Sequence, residues 1–135
     1  MKMHVAVYLF LCVGVVLGKE IDPEVIKSWL STMEPYKDKC MKETHADPIL
    51  VEVIMKTGII STNHDVMCFA KCVFMDIDVM DKDGVINKDV VVEKGVVVKL
   101  PLAEKCIESS KDEPDLCKKS HDFAMCVVKE LVHGN

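Results

Sequence analysis

Apolar side chains return at helical spacing along most of this chain. Ile26, Trp29, Leu30 and Met33 fall at i, i+3, i+4 and i+7, which makes one apolar stripe on a helix. Asp22-Pro23 precedes the stripe and supplies an N-cap followed by a proline at the first helical position. Pro35 breaks or kinks this helix, with a second piece from Tyr36 through Cys40. Asp47-Pro48 repeats the start signal. It opens a short helix that turns Leu50, Val53 and Ile54 inward and stops at Gly58. Ser61-Thr62-Asn63 caps a longer helix running to about Met80. That helix carries two adjacent stripes, Val66, Phe69, Ala70, Val73 and Ile77 on one, Cys68, Cys72, Met75 and Val79 on the other. An apolar surface that wide belongs in the middle of a domain. Asp83-Gly84 then marks a turn.

The stretch KDVVVEKGVVVK is ambiguous. Its valines favour a strand by propensity. The pattern does not alternate, Asn87 can cap a helix, and no partner strand is evident, so helix is the reading. Pro101 ends or kinks the segment, and a short helix follows with Cys106. Pro114 opens the last helix, with Leu116, Ser120, Phe123, Val127 and Leu131 on one face. The sum is an all-α domain of about six helices.

The first residues change the count of everything else. MKMHVAVYLFLCVGVVLGKE starts with Lys2 and continues in an apolar run from Val5 to Leu17 that is too short to span a bilayer. Residues 1–18 therefore read as a secretory signal peptide cut after Gly18, and residues 19–135 as one secreted, extracellular domain with no membrane insertion. Cleavage removes Cys12 and leaves six cysteines, an even number in a short secreted chain, which signals a disulfide framework. Loss of Lys2 leaves 16 basic against 22 acidic residues, a net charge of −6, with no arginine. Nucleic acid and anionic membranes are poor partners for such a surface.

Catalytic and metal chemistry find no footing. His121-Asp122 resembles the water-activating pair of secreted phospholipases A2, but the glycine-rich calcium loop of that family is missing. Aligning Gly84 to the sixth position of an EF-hand loop puts Asp81 and Asp83 at the third and fifth. Val79 and Val90 then fall at the first and twelfth, where the calcium cage needs carboxylates. Zinc would need thiolates that stay reduced. The Cys68–Cys72 spacing is not the C-x-x-C of redox sites. The expectation is no enzyme, no cofactor and no metal.

Cys68 and Cys72 lie one helical turn apart, so a bond between them demands poor torsions and each seeks a partner elsewhere. Cys117 and Cys126 are nine residues apart, about 900° along a helix, and point to opposite sides. Geometry alone leaves several of the 15 connectivities open. The full spacing, C-x27-C-x3-C-x33-C-x10-C-x8-C, resembles that of insect odorant-binding proteins of the six-cysteine type, in which C-x3-C and C-x8-C are hallmarks. The signal peptide, the small acidic domain, the turn at Met80 to Gly84 and Phe123 three residues before the last cysteine extend the resemblance over the whole mature chain.

That resemblance implies a six-helix fold around an apolar cavity, stapled by three interlocked disulfides, Cys40–Cys72, Cys68–Cys117 and Cys106–Cys126. It implies a carrier that reversibly binds a small hydrophobic ligand, an odorant or pheromone, and moves it through aqueous sensillar lymph. The alternative is a carrier or scavenger of hydrophobic ligands in another secreted fluid. An olfactory receptor is then an indirect partner, and the protein a monomer or weak homodimer. The expected ligand-lining set is Ile26, Leu30 and Met33 from the first helix, Phe69, Val73 and Phe74 from the central one, Val91, Val92, Val98 and Leu102 after it, and Phe123, Val127 and Leu131 from the last. The adaptable methionines Met33, Met55, Met67, Met75 and Met125 are further candidates, and Tyr36 or Ser120 could give a polar contact. In the tail, Leu131 and Val132 are candidates for a lid and His133 for a pH sensor. Burying about ten CH₂ groups would contribute ~8 kcal/mol before ordering costs, enough for affinities around micromolar.

Overall fold

The computed structural model describes residues 20–133. The expected signal peptide lies outside the described residues. Among the described residues seven α-helices follow one another: α1 Pro23–Met33, α2 Lys37–Thr44, α3 Pro48–Thr57, α4 His64–Asp76, α5 Lys88–Gly95, α6 Leu100–Ser110 and α7 Leu116–His133. A single 3₁₀ turn, Glu34–Tyr36, joins α1 to α2, so these two form one helical unit kinked at Pro35 and the units number six. Among the described residues no strand forms; Met80 and Ile86 make one isolated antiparallel bridge.

The start signals act as the sequence implied. Asp22 accepts from the Glu24 N–H at 2.8 Å and Asp47 from the Ile49 N–H at 2.8 Å, each ahead of a proline in the first turn. Asn63 caps α4 through the Val66 N–H, and Asn87 caps α5 through the N–H groups of Asp89 and Val90. The valine-rich stretch is thus a helix with a real start, and it runs only to Gly95. α7 begins after Asp115, whose carboxylate accepts from Cys117 and Lys118, two residues later than Pro114 suggested. The α4 helix also ends earlier than Met80, at Asp76.

Between α4 and α5 the Asp81 carboxylate accepts from the N–H groups of Asp83 and Val85, both at 2.9 Å. Gly84 has φ +84°, and a Cβ there would collide with the Leu116 side chain. The positive φ favours glycine there, and a larger residue would also have to displace the Leu116 side chain.

The core lies along α4. Val66, Phe69 and Val73 are fully buried there, with Val51 and Ile54 from α3 and Phe123 and Val127 from α7. On α3 the inward residue is Val51, not Val53, which is 41 % exposed. The α3 register is set by Ile54 and by the left-handed cap at Gly58, and Val51 is one turn before Ile54 on that face. α4 packs against α7 and α2, and α6 packs against α7 and α5. Disulfides join the same neighbours: Cys40–Cys72 ties α2 to α4, Cys68–Cys117 ties α4 to α7, and Cys106–Cys126 ties α6 to α7. These are the pairs that the resemblance implied.

Candidate functional site: an apolar cavity

Helix α1 has one buried residue, Val25. Its apolar stripe, Ile26, Trp29, Leu30 and Met33, is half-buried, because it borders a space that the other helices do not fill. That space is a cavity of about 140 Å³. The α1 stripe forms one wall with Thr32. Ile54, Gly58 and Ile60 close it from α3 and the loop after it. The central helix contributes Ala70 and Phe74, with its C-cap Ile77 and then Val79 beyond its end. Val91, Lys94, Gly95 and Val98 come from α5 and the turn after it, and Phe123, Ala124, Val127 and Val128 from α7. Phe74 and Phe123 meet edge to face across the α4–α7 boundary, with ring centroids 6.4 Å apart.

One hydrogen bond ties the α1 wall to its neighbour. The Trp29 indole Nε1 donates to the Gly95 carbonyl at 2.9 Å. Gly95 also accepts from the Val97 N–H at 2.7 Å, closing a γ-turn about Val96 at φ 64°, ψ −66°. A Cβ on Gly95 would sit 2.7 Å from Val98 Cγ2, so the turn folds back on itself only with glycine there. Outside, a groove between α1 and α3 shares Ile26 and Leu30 with the cavity, and Lys27, Glu34, Lys37, Glu52 and Lys56 line it. A single helix thus separates the cavity from that groove.

Of the thirteen residues expected at a ligand, eight border the cavity: Ile26, Leu30, Met33, Phe74, Val91, Val98, Phe123 and Val127. Phe69 and Val73 are instead fully buried in the core. The α4 face on the cavity is Ala70, Phe74 and Ile77, at i, i+4 and i+7; Phe69 and Val73 each stand about 100° round from it. Val92 is likewise one residue off the Val91–Lys94–Gly95 face. Leu102 and Leu131 pack against the core without bordering the cavity. Of the five methionines, only Met33 borders it; Met55 lines the outer groove. Tyr36 does not border it either, and Ser120 is buried, with its hydroxyl donating to the Leu116 carbonyl at 2.8 Å. Val132 is half-buried away from the cavity and His133 is exposed.

The residues that sequence reasoning missed include large ones already read as core or stripe positions, such as Trp29, Ile54 and Ile77, and four small ones, Gly58, Ala70, Gly95 and Ala124. Small side chains at helical spacing are the one signal that could have found the small ones, since a cavity exists where side chains stop short.

The decoys have plain roles. His121 Nδ1 lies 2.9 Å from its neighbour Asp122, which also receives Lys118 Nζ at 2.7 Å. Burial works to raise the Asp122 pKa, but the hydrogen bonds and charges of Lys118 and His121 outweigh it and hold the carboxyl below its usual range. Two clusters bring possible metal-ligating atoms together, His64 with Cys68 and Cys117, and Asp76 with Cys40 and Cys72. Their sulfurs are paired in disulfides and so offer no thiolate.

A small all-helical domain, stapled by three disulfides round an apolar cavity, is a binding scaffold for a small hydrophobic molecule. The PBP/GOBP family profile matches residues 24–130, and the chain belongs to that family, of pheromone-binding and general odorant-binding carriers. No solved structure matches the chain. Among the described residues no helix is long and apolar enough to cross a membrane.

Proposed function

We propose that the protein is a secreted carrier that takes up one small hydrophobic molecule in the cavity, without turning it over, and releases it intact after passage through aqueous sensillar lymph. The observation that carries this reading is the cavity, walled almost wholly by aliphatic and aromatic side chains at the meeting of five helices. Family membership supports the carrier role. Three disulfides support an oxidising, extracellular compartment.

Cavity size sets the scale of affinity. A cavity of about 140 Å³ resembles the ~150 Å³ apolar cavities that admit benzene. About six carbons at ~0.8 kcal/mol each contribute ~5 kcal/mol before ordering costs. That corresponds to dissociation constants of roughly 0.1–1 mM. The micromolar binding expected for about ten carbons requires the α1 wall to move outward, towards the groove behind it.

Trp29 is the lone tryptophan and borders the cavity, so its emission reports occupancy directly. Titration of the mature, oxidised protein with toluene should shift that emission saturably, and native mass spectrometry with a hydrophobic ligand panel should show one ligand per chain. No saturable shift and no adduct with any apolar compound would refute the carrier reading.

A further inference from the structure

The walls of the cavity hold very few hydrogen-bonding side chains, and the uncharged ones are already engaged. The Trp29 indole donates to Gly95, and the Thr32 hydroxyl donates to the Ser28 carbonyl at 3.1 Å. Gly95, the carbonyl that receives Trp29, is also taken by the Val97 N–H. Every buried side-chain nitrogen and oxygen among the described residues has a partner. The remaining polar wall residue is Lys94. It is half-buried and has no carboxylate partner within 4.0 Å among the described residues. A lysine in that setting lays its methylene stem along apolar surface and keeps its ammonium in water.

On the carrier reading, we infer that the cavity selects hydrocarbons: compact apolar molecules with no hydrogen-bonding group, in preference to alcohols, phenols or acids of the same shape. A ligand hydroxyl placed there leaves its water partners and meets almost no polar surface in return, the Thr32 oxygen being the one uncharged side-chain acceptor on the wall. An unmet buried polar group of that kind weakens binding by about 1–3 kcal/mol, a factor of roughly 5 to 150. Discrimination thus arises from the absence of a polar anchor, and shape does the rest.

Toluene and phenol differ only by methyl against hydroxyl, and benzoate adds a charge that Lys94 could meet. Calorimetric titration of the mature, oxidised protein with the three should give a toluene dissociation constant at least fivefold below that of phenol, with benzoate weakest. Lys94→Met keeps the stem and removes the one charge on the wall, so it should widen the preference for toluene over benzoate. A toluene-to-phenol preference under fivefold overturns the inference while leaving the carrier reading intact. Benzoate binding tighter than toluene and lost in Lys94→Met also overturns it, in favour of an acid-anchored site. Binding of none of the three overturns the inference, and the carrier reading falls with it only if the wider panel of apolar compounds also fails to bind.

Discussion

Val96 holds φ 64° and ψ −66°, a left-handed conformation that a β-branched residue enters only under strain. Such strain is worth about 1–3 kcal/mol. Glycine would relieve it, at a loss of roughly 0.4–1 kcal/mol through the freer unfolded chain. Val96 is 53 % exposed, so little apolar burial is forfeited. Strain relief wins: Val96→Gly should stabilise the protein by about 1 kcal/mol, seen as a higher urea midpoint at unchanged slope. His64 Nε2 lies 2.9 Å from Asp115 and holds that carboxyl below its usual range. Burial opposes the shift and the Lys118 and Cys117 N–H groups assist it. A depressed folded pKa means that protonation favours the unfolded chain. The contribution of Asp115 is therefore complete above about pH 4 and is lost as pH falls through the lower folded value. Asp115→Asn keeps a cap acceptor and removes the charge. Its stability deficit should be present at pH 5 and shrink towards pH 2.5 in urea melts.

At the scale of the helices, loop length decides which staple matters most. The chain-entropy account assigns about 3 kcal/mol to Cys106–Cys126, with a separation of 20 residues, and about 4 kcal/mol to Cys68–Cys117, with 49. Replacing the second pair by alanine should therefore lower stability more than replacing the first. Equal losses in denaturant titrations would point to native strain or residual structure in the unfolded chain as the larger effect. Helix starts were legible before the structure because a cap is a local event: Asp22, Asp47, Asn63 and Asn87 each bond N–H groups two or three residues on. Helix faces were less so. α4 is apolar over two adjacent stripes, and periodicity cannot say which one meets packed neighbours and which one meets a hollow. Hence Phe69 and Val73 looked like cavity residues, while Ala70, Phe74 and Ile77 hold that place. The hydrogen bond from Trp29 to Gly95 spans 66 residues of chain, and no local pattern encodes it.

Across the whole molecule the hollow and the staples are of similar size. An empty apolar cavity destabilises by roughly 24 cal/mol per Å³, so a volume of about 140 Å³ corresponds to ~3 kcal/mol, comparable to one disulfide. A helical domain this small keeps its centre open because covalent links supply what packing does not. The same magnitudes predict what filling the space would do. Ala124 borders the cavity from α7, and leucine there adds three carbons to the hollow on a helix that favours leucine. Each carbon that finds room contributes up to ~0.8 kcal/mol, and side-chain ordering takes back about 0.5–1 kcal/mol. Ala124→Leu should therefore raise stability by about 1–2 kcal/mol and weaken toluene binding at least tenfold. Thermal melts with and without ligand separate the two effects. The variant should melt higher than the parent without ligand and gain less from saturating toluene. A variant that melts higher and still binds toluene as the parent does would place the ligand elsewhere, in the groove between α1 and α3.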